Sequence, residues 1–302
     1  MIQSEGENPL GRIAVVTDSN TCLPKDILQR YPIEIVPIVL LFGDEALLDG
    51  VDIDIPGFYA RLRTADPLPT TSSPTPAQFI ETFERAKSKG AEGIIVVTLS
   101  SKLSMSFNAA HIAIEEMEDF PIRVVDSRMA TIAQGFVALT AAEAAVQGRD
   151  IDEVVFLAEK SSDDIGFAVM LDTLEYLHRG GRVPAIASLV GSAIRLNPVV
   201  GNRSDGTVGI IAPTLGQKSA IERVMKEVEQ KAEGRRLKRL AVMHADALER
   251  AQELMDLVRE RFECEDIYLV ELTPVMGAHA GPGVIGLAYH VEAPDPDDSE
   301  EK

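Results

Sequence analysis

Short runs of β-branched and aliphatic residues alternate with longer stretches whose apolar positions recur at helical spacing. This rhythm predicts an α/β fold with mostly parallel sheet. "RIAVVTDS", "GIIVVTLSS" and "IRVVDS" read as strands that end in hydroxyl or acidic residues, whereas "PAQFIETFERAKSKG", "SFNAAHIAIEEME" and "AQGFVALTAAEAAVQG" read as helices. The last of these is rich enough in small residues to lie close on a sheet. Pro37 interrupts the strand "IEIVPIVLLF", because proline offers no N–H to a ladder. "LPKDILQRY" and "DIPGFYARLRTA" read as shorter helices.

The pattern then restarts with the strand "IGFAVM", the glycine-terminated helix "DTLEYLHRGG" and a further helix, "PAIASLVGSAI". "NPVVGNRSDGTVGII" reads as a hairpin turning at Asp205 and Gly206, and "KSAIERVMKEVEQKA" as a long helix. "RLAVMHAD" and "DIYLVEL" are strands around the helix "ALERAQELMDLVRERF", and "VIGLAYHV" is a final strand. The expected organisation is an N-terminal tail over residues 1–11, α/β domains over 12–163 and 164–292, and an acidic tail over 293–302.

Composition narrows the function. The 302-residue chain carries a formal net charge of −19, and its last ten residues hold five acids against one lysine. Such a surface repels nucleic acid and anionic membranes, so neither is expected as a partner. No apolar run approaches membrane-spanning length, and the polar opening "MIQSEGENPLGR" is unlike a signal peptide. Cys22 and Cys264 have no C-x-x-C spacing and are expected as free thiols, which points to a reducing, cytoplasmic setting.

Three loops expected at strand ends or helix starts are dense in hydroxyls: Thr98, Ser100, Ser101, Ser104 and Ser106; Asp126, Ser127 and Thr131; and Thr70, Thr71, Ser72, Ser73 and Thr75. N-capping explains one or two hydroxyls per helix. Clusters in three loops suggest a polar pocket that donates to an anionic oxygen group. Gly281, Gly283 and Gly286 spell G-x-G-x-x-G, yet a strand follows them and Pro282 removes an N–H, so a nucleotide loop is disfavoured. His279, beside those glycines, is a candidate hydrogen-bond donor or counterion for a carboxylate. The five histidines lack metal-ligand spacing, and neither a G-x-S-x-G elbow nor a P-loop is present. No catalytic residue, cofactor or metal is therefore expected. Arg182 follows a glycine pair in "HRGGRV"; it is either a solvated residue at a helix end or a grip for phosphate or a partner's acid.

The segments "VVTDS", "PTTSSPTPAQF", "VTLSSKLSMSFNAA", "VVDSRMATIAQG", "DTLEYLHRGGRV", "GSAIRLNPVV…DGTV" and "HAGPG" occur in the order found in the DegV family of lipid-binding proteins, which the chain resembles over almost its whole length. The resemblance implies a fatty acid buried between two α/β domains, as in the fatty-acid-binding subunit of bacterial fatty acid kinase. It implies a carboxylate held by Thr71, Ser72, Ser101 and His279, with Ser100, Ser104, Asp126, Ser127, Gly281 and Gly283 supporting the loops. It assigns Arg182 to a separate ATP-binding kinase subunit. Ser73 stands where the family often has glutamine, and Met105 with Ser106 replaces a common glycine and threonine. Two other readings stand beside this one: a hydrolase or phosphotransferase acting alone on a small anion through Ser101 and His279, and a lipid sensor with no kinase partner.

Overall fold

The computed structural model describes residues 13–31, 33–117, 119–183 and 196–293. In chain order, the first half contains β1 (Ile13–Asp18), a 3-10 turn (Ser19–Thr21), α1 (Lys25–Arg30), β2 (Ile33–Val36), β3 (Val39–Phe42), β4 (Glu45–Leu48), α2 (Ile55–Leu62), β5 (Thr70–Ser72), α3 (Pro76–Ser88), β6 (Gly93–Thr98), α4 (Ser106–Glu115), β7 (Ile122–Asp126), α5 (Thr131–Val146) and α6 (Ile151–Asp164). There follow β8 (Ile165–Met170), α7 (Glu175–Gly180), β9 (Val199–Asn202), β10 (Val208–Ala212), α8 (Gln217–Ala232), β11 (Leu237–His244), α9 (Leu248–Arg261), β12 (Cys264–Glu271), α10 (Pro274–Ala280) and β13 (Ile285–Val291). The helix expected over "PAIASLVGSAI" and most of the two terminal tails lie outside the described residues.

Strands β2-β1-β6-β7 form a sheet that is parallel throughout. Every residue of β6 is buried, as expected for a strand covered on both faces. Ile94 and Val96 pack toward α3 and α4 with Phe79, Phe83 and Ala110. Ile95 and Val97 point the other way, into the core with α5 and α6. Pro37 ends the pairing of β2, and β3 turns away into a separate three-stranded antiparallel sheet, β4-β3-β5.

The third sheet runs β10-β9-β8-β13-β11-β12. Here β11 and β12 pair in parallel and the remaining neighbours are antiparallel. The hairpin joining β9 to β10 turns at Asp205 and Gly206, and Gly206 supplies φ +85°. Helices α8 and α9 cover the outer face of this sheet. Its inner face shares one apolar core with α5, α6 and the four-stranded sheet.

Helix α5 lies between the sheets, buried at almost every position, and its small residues make that possible. A Cβ on Gly135 would come within 2.7 Å of the Thr21 carbonyl oxygen. Helix α6, in a stretch where the sequence pattern marked only a boundary, packs on both sheets and runs directly into β8.

Candidate functional site

The carboxyl ends of β1, β6 and β7 open into the core between the sheets, which is where ligands of parallel α/β sheets bind. Asp18, fully buried at the end of β1, organises this edge. Its carboxylate accepts from the Leu99 N–H at 2.9 Å, from Asn20 N–H at 3.2 Å and from Gln134 of α5 at 3.0 Å. Burial pushes its carboxyl above the usual range despite these three donors.

Above this edge is a cavity of about 90 Å³. The six-stranded sheet contributes Phe167, Val169, Val200 and Val208, and the loops of the four-stranded sheet contribute Asn20, Leu99, Leu103, Ser104, Ala130 and Thr131. One end is closed by Leu272, Val275, Met276 and His279 from α10 and its approach, by Leu177, Arg182 and Val183 around α7, and by Thr71 and Ser73. Most of the wall is hydrocarbon; Thr71, Ser73, Ser104, Arg182 and His279 are polar groups on it, as are Asn20 and Thr131.

Two side-chain pairs lie there. Thr71 Oγ1 and His279 Nε2 are 2.7 Å apart, joining β5 to α10. Ser73 Oγ and Ser104 Oγ are 2.9 Å apart, and Ser104 reaches Ser106 at 3.0 Å. Thr71 and Ser73 share a face because side chains alternate along a strand; Ser72 is exposed, and its hydroxyl donates to the Ser73 carbonyl. Ser73 was part of the hydroxyl run in the sequence, but only the alternation of β5 separates it from Ser72.

His279 sits in the last turn of α10 rather than in a loop, and that helix carries the expected signals: Pro274 in its first turn and Gly281 after its end. Burial first, and the Arg182 charge second, lower the imidazole pKa to about 4, so the ring is neutral near pH 7. Its Nδ1 is buried without a hydrogen-bond partner among the described residues and faces Gly180, where a Cβ would stand 2.7 Å away. Gly180, in the sequence's glycine pair, therefore makes room for the ring.

The remaining residues support the loops. Ser101 is not on the cavity wall: its hydroxyl and its N–H both donate to Asp126, which also accepts from the Arg128 N–H at 2.9 Å. Ser101 and His279 thus have different partners. Ser100 Oγ donates to the Gly206 carbonyl at 2.7 Å, tying the loop after β6 to the β9–β10 turn. Ser127 Oγ accepts from the Met129 N–H at 3.1 Å. Gly281 and Gly283, at φ +76° and +83°, let the turn after α10 approach protein rather than the cavity; a Cβ at either would meet the Tyr176 ring or the Asp172 carboxylate at 2.3 Å.

Arg182 is on the wall and also exposed, its Nη1 donating to the Gly180 carbonyl at 2.7 Å. With His279 it also lines an adjoining surface groove that includes Leu68, Tyr176 and Arg179. Among the described residues, no group of three or more His, Cys, Asp or Glu side chains is placed to hold a metal ion, and no helix is long and apolar enough to cross a membrane.

Comparison with known proteins agrees with this architecture. A family model described as "Uncharacterised protein, DegV family" matches residues 12–292. A DegV domain-containing protein of Streptomyces coelicolor is 37% identical over 276 residues, covering 91% of this chain and 97% of that one. A solved DegV family protein of Thermus thermophilus, described by its fatty acid binding, superposes with TM-score 0.86 at 28% identity, covering 93% of this chain and all of that one. A DegV lipid-binding protein of Thermotoga maritima gives TM-score 0.85 at 27% identity, with 94% and 99% of the two chains covered. By sequence and by fold, this chain belongs to the DegV family.

Proposed function

We propose that this protein binds a long-chain fatty acid in the cavity between its sheets and presents the carboxylate to a separate ATP-dependent kinase, which forms the acyl phosphate. The observation that carries the reading is a part-buried Thr71–His279 hydrogen bond on the wall of a cavity lined mostly by hydrocarbon. Fatty acid or lipid binding by the Thermus and Thermotoga relatives supports it.

Hydrophobic transfer supplies the affinity. Each buried CH₂ contributes about 0.8 kcal/mol, so an acyl chain of ordinary length gains on the order of 10 kcal/mol gross, before the ordering costs of association. A buried carboxylate is unfavourable unless it is hydrogen-bonded. With Nε2 of neutral His279 donating to Thr71 Oγ1, the threonine hydroxyl is left free to donate to the acid. Ser73 and Ser104 supply further hydroxyls on that wall, and Arg182 supplies positive charge. This assignment keeps Thr71 and His279 from the set implied by resemblance and replaces Ser72 and Ser101 with Ser73 and Ser104.

The kinase part rests on Arg182, which lines both the cavity and the outer groove and so stands where a carboxylate would meet a phosphoryl donor. Native mass spectrometry of the purified protein is expected to find one acyl chain per molecule; lipid-stripped protein that takes up no fatty acid would refute the reading. In a coupled ATP-dependent assay, Arg182→Ala is expected to keep its lipid and to be a poor substrate for the kinase. An Arg182→Ala protein empty of lipid would show that this residue holds the acid instead.

A further inference from the structure

The cavity wall carries a second polar point, which the carboxylate assignment leaves unused. Ala130 and Thr131 lie on the wall where α5 begins. This helix has no side-chain cap, so its first N–H groups and the positive end of its dipole are not answered by a capping residue. Thr131 is 2% exposed, and its hydroxyl is buried with no hydrogen-bond partner among the described residues. The residue also holds φ +60°, an unfavourable conformation for a β-branched side chain. Asn20 is on the same wall, and its Nδ2 donates to Gln134, three positions further along α5, at 2.8 Å.

The contrast with the other hydroxyls of the wall is chemical. Thr71, Ser73 and Ser104 all have partners within the protein, whereas Thr131 has a donor and acceptor with nothing to meet. A saturated chain passing it would leave the hydroxyl unpaired, which costs free energy in a buried place. An oxygen on the chain would pair with it and face the uncapped N–H groups.

We propose that Thr131 and the start of α5 form a subsite for an oxygen atom borne on the acyl chain, away from its carboxylate. The cavity then selects fatty acids with a hydroxyl or keto group at the matching carbon over unsubstituted chains. This rests on the reading that the cavity holds a fatty acid.

The test titrates lipid-stripped protein with hexadecanoic acid and with its positional monohydroxy and monoketo isomers. At least one isomer is expected to bind about ten-fold tighter than hexadecanoic acid, the size of one well-formed buried hydrogen bond. Thr131→Val keeps the branched shape and is expected to abolish that advantage while binding hexadecanoic acid at least as tightly as the parent protein, since no hydroxyl is then left unpaired; Thr131→Ser is expected to retain it. If the valine variant fails to fold, Thr131→Ala takes its place. Isomers that all bind no tighter than hexadecanoic acid, or an advantage that survives in the valine or alanine variant, would overturn the proposal. If neither hexadecanoic acid nor any isomer binds, the fatty-acid reading itself fails.

Discussion

His279 reaches Thr71 because Gly180 has no side chain, and it stays neutral because it is buried beside Arg182. Loss of the imidazole removes both a donor and the partner that orients Thr71. His279→Ala is therefore expected to weaken fatty-acid retention by one to two orders of magnitude, as read by isothermal titration of lipid-stripped protein. With a pKa of about 4, the ring of the ligand-free protein is expected to show no titration between pH 8 and 6 in NMR spectra. Asp49 makes the opposite statement about acidity. Burial, reinforced by the nearby Asp18 charge and only partly offset by the Ser19 hydroxyl at 2.7 Å, raises its pKa from 3.8 to about 7. Between those values the native carboxyl keeps a proton that the unfolded chain has released, so its contribution to stability falls as pH rises through the window and is level above it. Asp49→Asn is expected to remove that slope, stabilising the protein at pH 8 by on the order of a few kcal/mol and changing little near pH 4, as measured by denaturant melts. Most of the candidate residues were legible in the sequence as hydroxyl clusters and a histidine beside glycines. Which hydroxyls face inward was not, since Ser72 and Ser73 differ only in strand phase and Ser101 is claimed by Asp126.

At the scale of elements, α5 is clamped to the six-stranded sheet by a buried charge group. Arg239 of β11 is fully buried and donates to Glu143 of α5 and, at 3.0 Å, to His290 Nδ1 of β13; Lys238 reaches Glu143 at 3.1 Å. Burial first, then the Arg239 and Lys238 charges, lower the His290 pKa to about 3, which keeps Nδ1 an acceptor. Glu143→Gln leaves Arg239 charged without its counterion and is expected to cost about 3 kcal/mol in urea unfolding. Glu143→Leu combined with Arg239→Met is expected to recover most of that loss. Periodicity revealed α3, α4, α5, α8 and α9, and the proline and glycine signals marked the break at Pro37 and the turn at Gly206. The strand order of the six-stranded sheet had no comparable signal, because antiparallel neighbours such as β8 and β13 lie far apart in sequence and neither strand encodes its partner.

For the molecule as a whole, the cavity belongs to neither sheet alone: its walls come from the inner face of one, the strand-end loops of the other, and α7 and α10 between them. A ligand bound there stabilises the folded state by mass action, by about 2.7 kcal/mol when its concentration is a hundred times the dissociation constant. Lipid-stripped protein is expected to melt at a lower temperature than protein as purified, and added fatty acid is expected to restore the difference in differential scanning calorimetry. The carrier reading came from the resemblance, with which the missing catalytic motifs agree; the sequence held no measure of enclosure, which arises only when distant segments meet.

Ser100 joins the loop after β6 to the β9–β10 turn at Gly206, across the boundary between the two sheets. If the proposed fatty acid lies between the two sheets, parting of this seam widens its way out, so a partner that loosens the Ser100–Gly206 contact would hasten release without touching the acid.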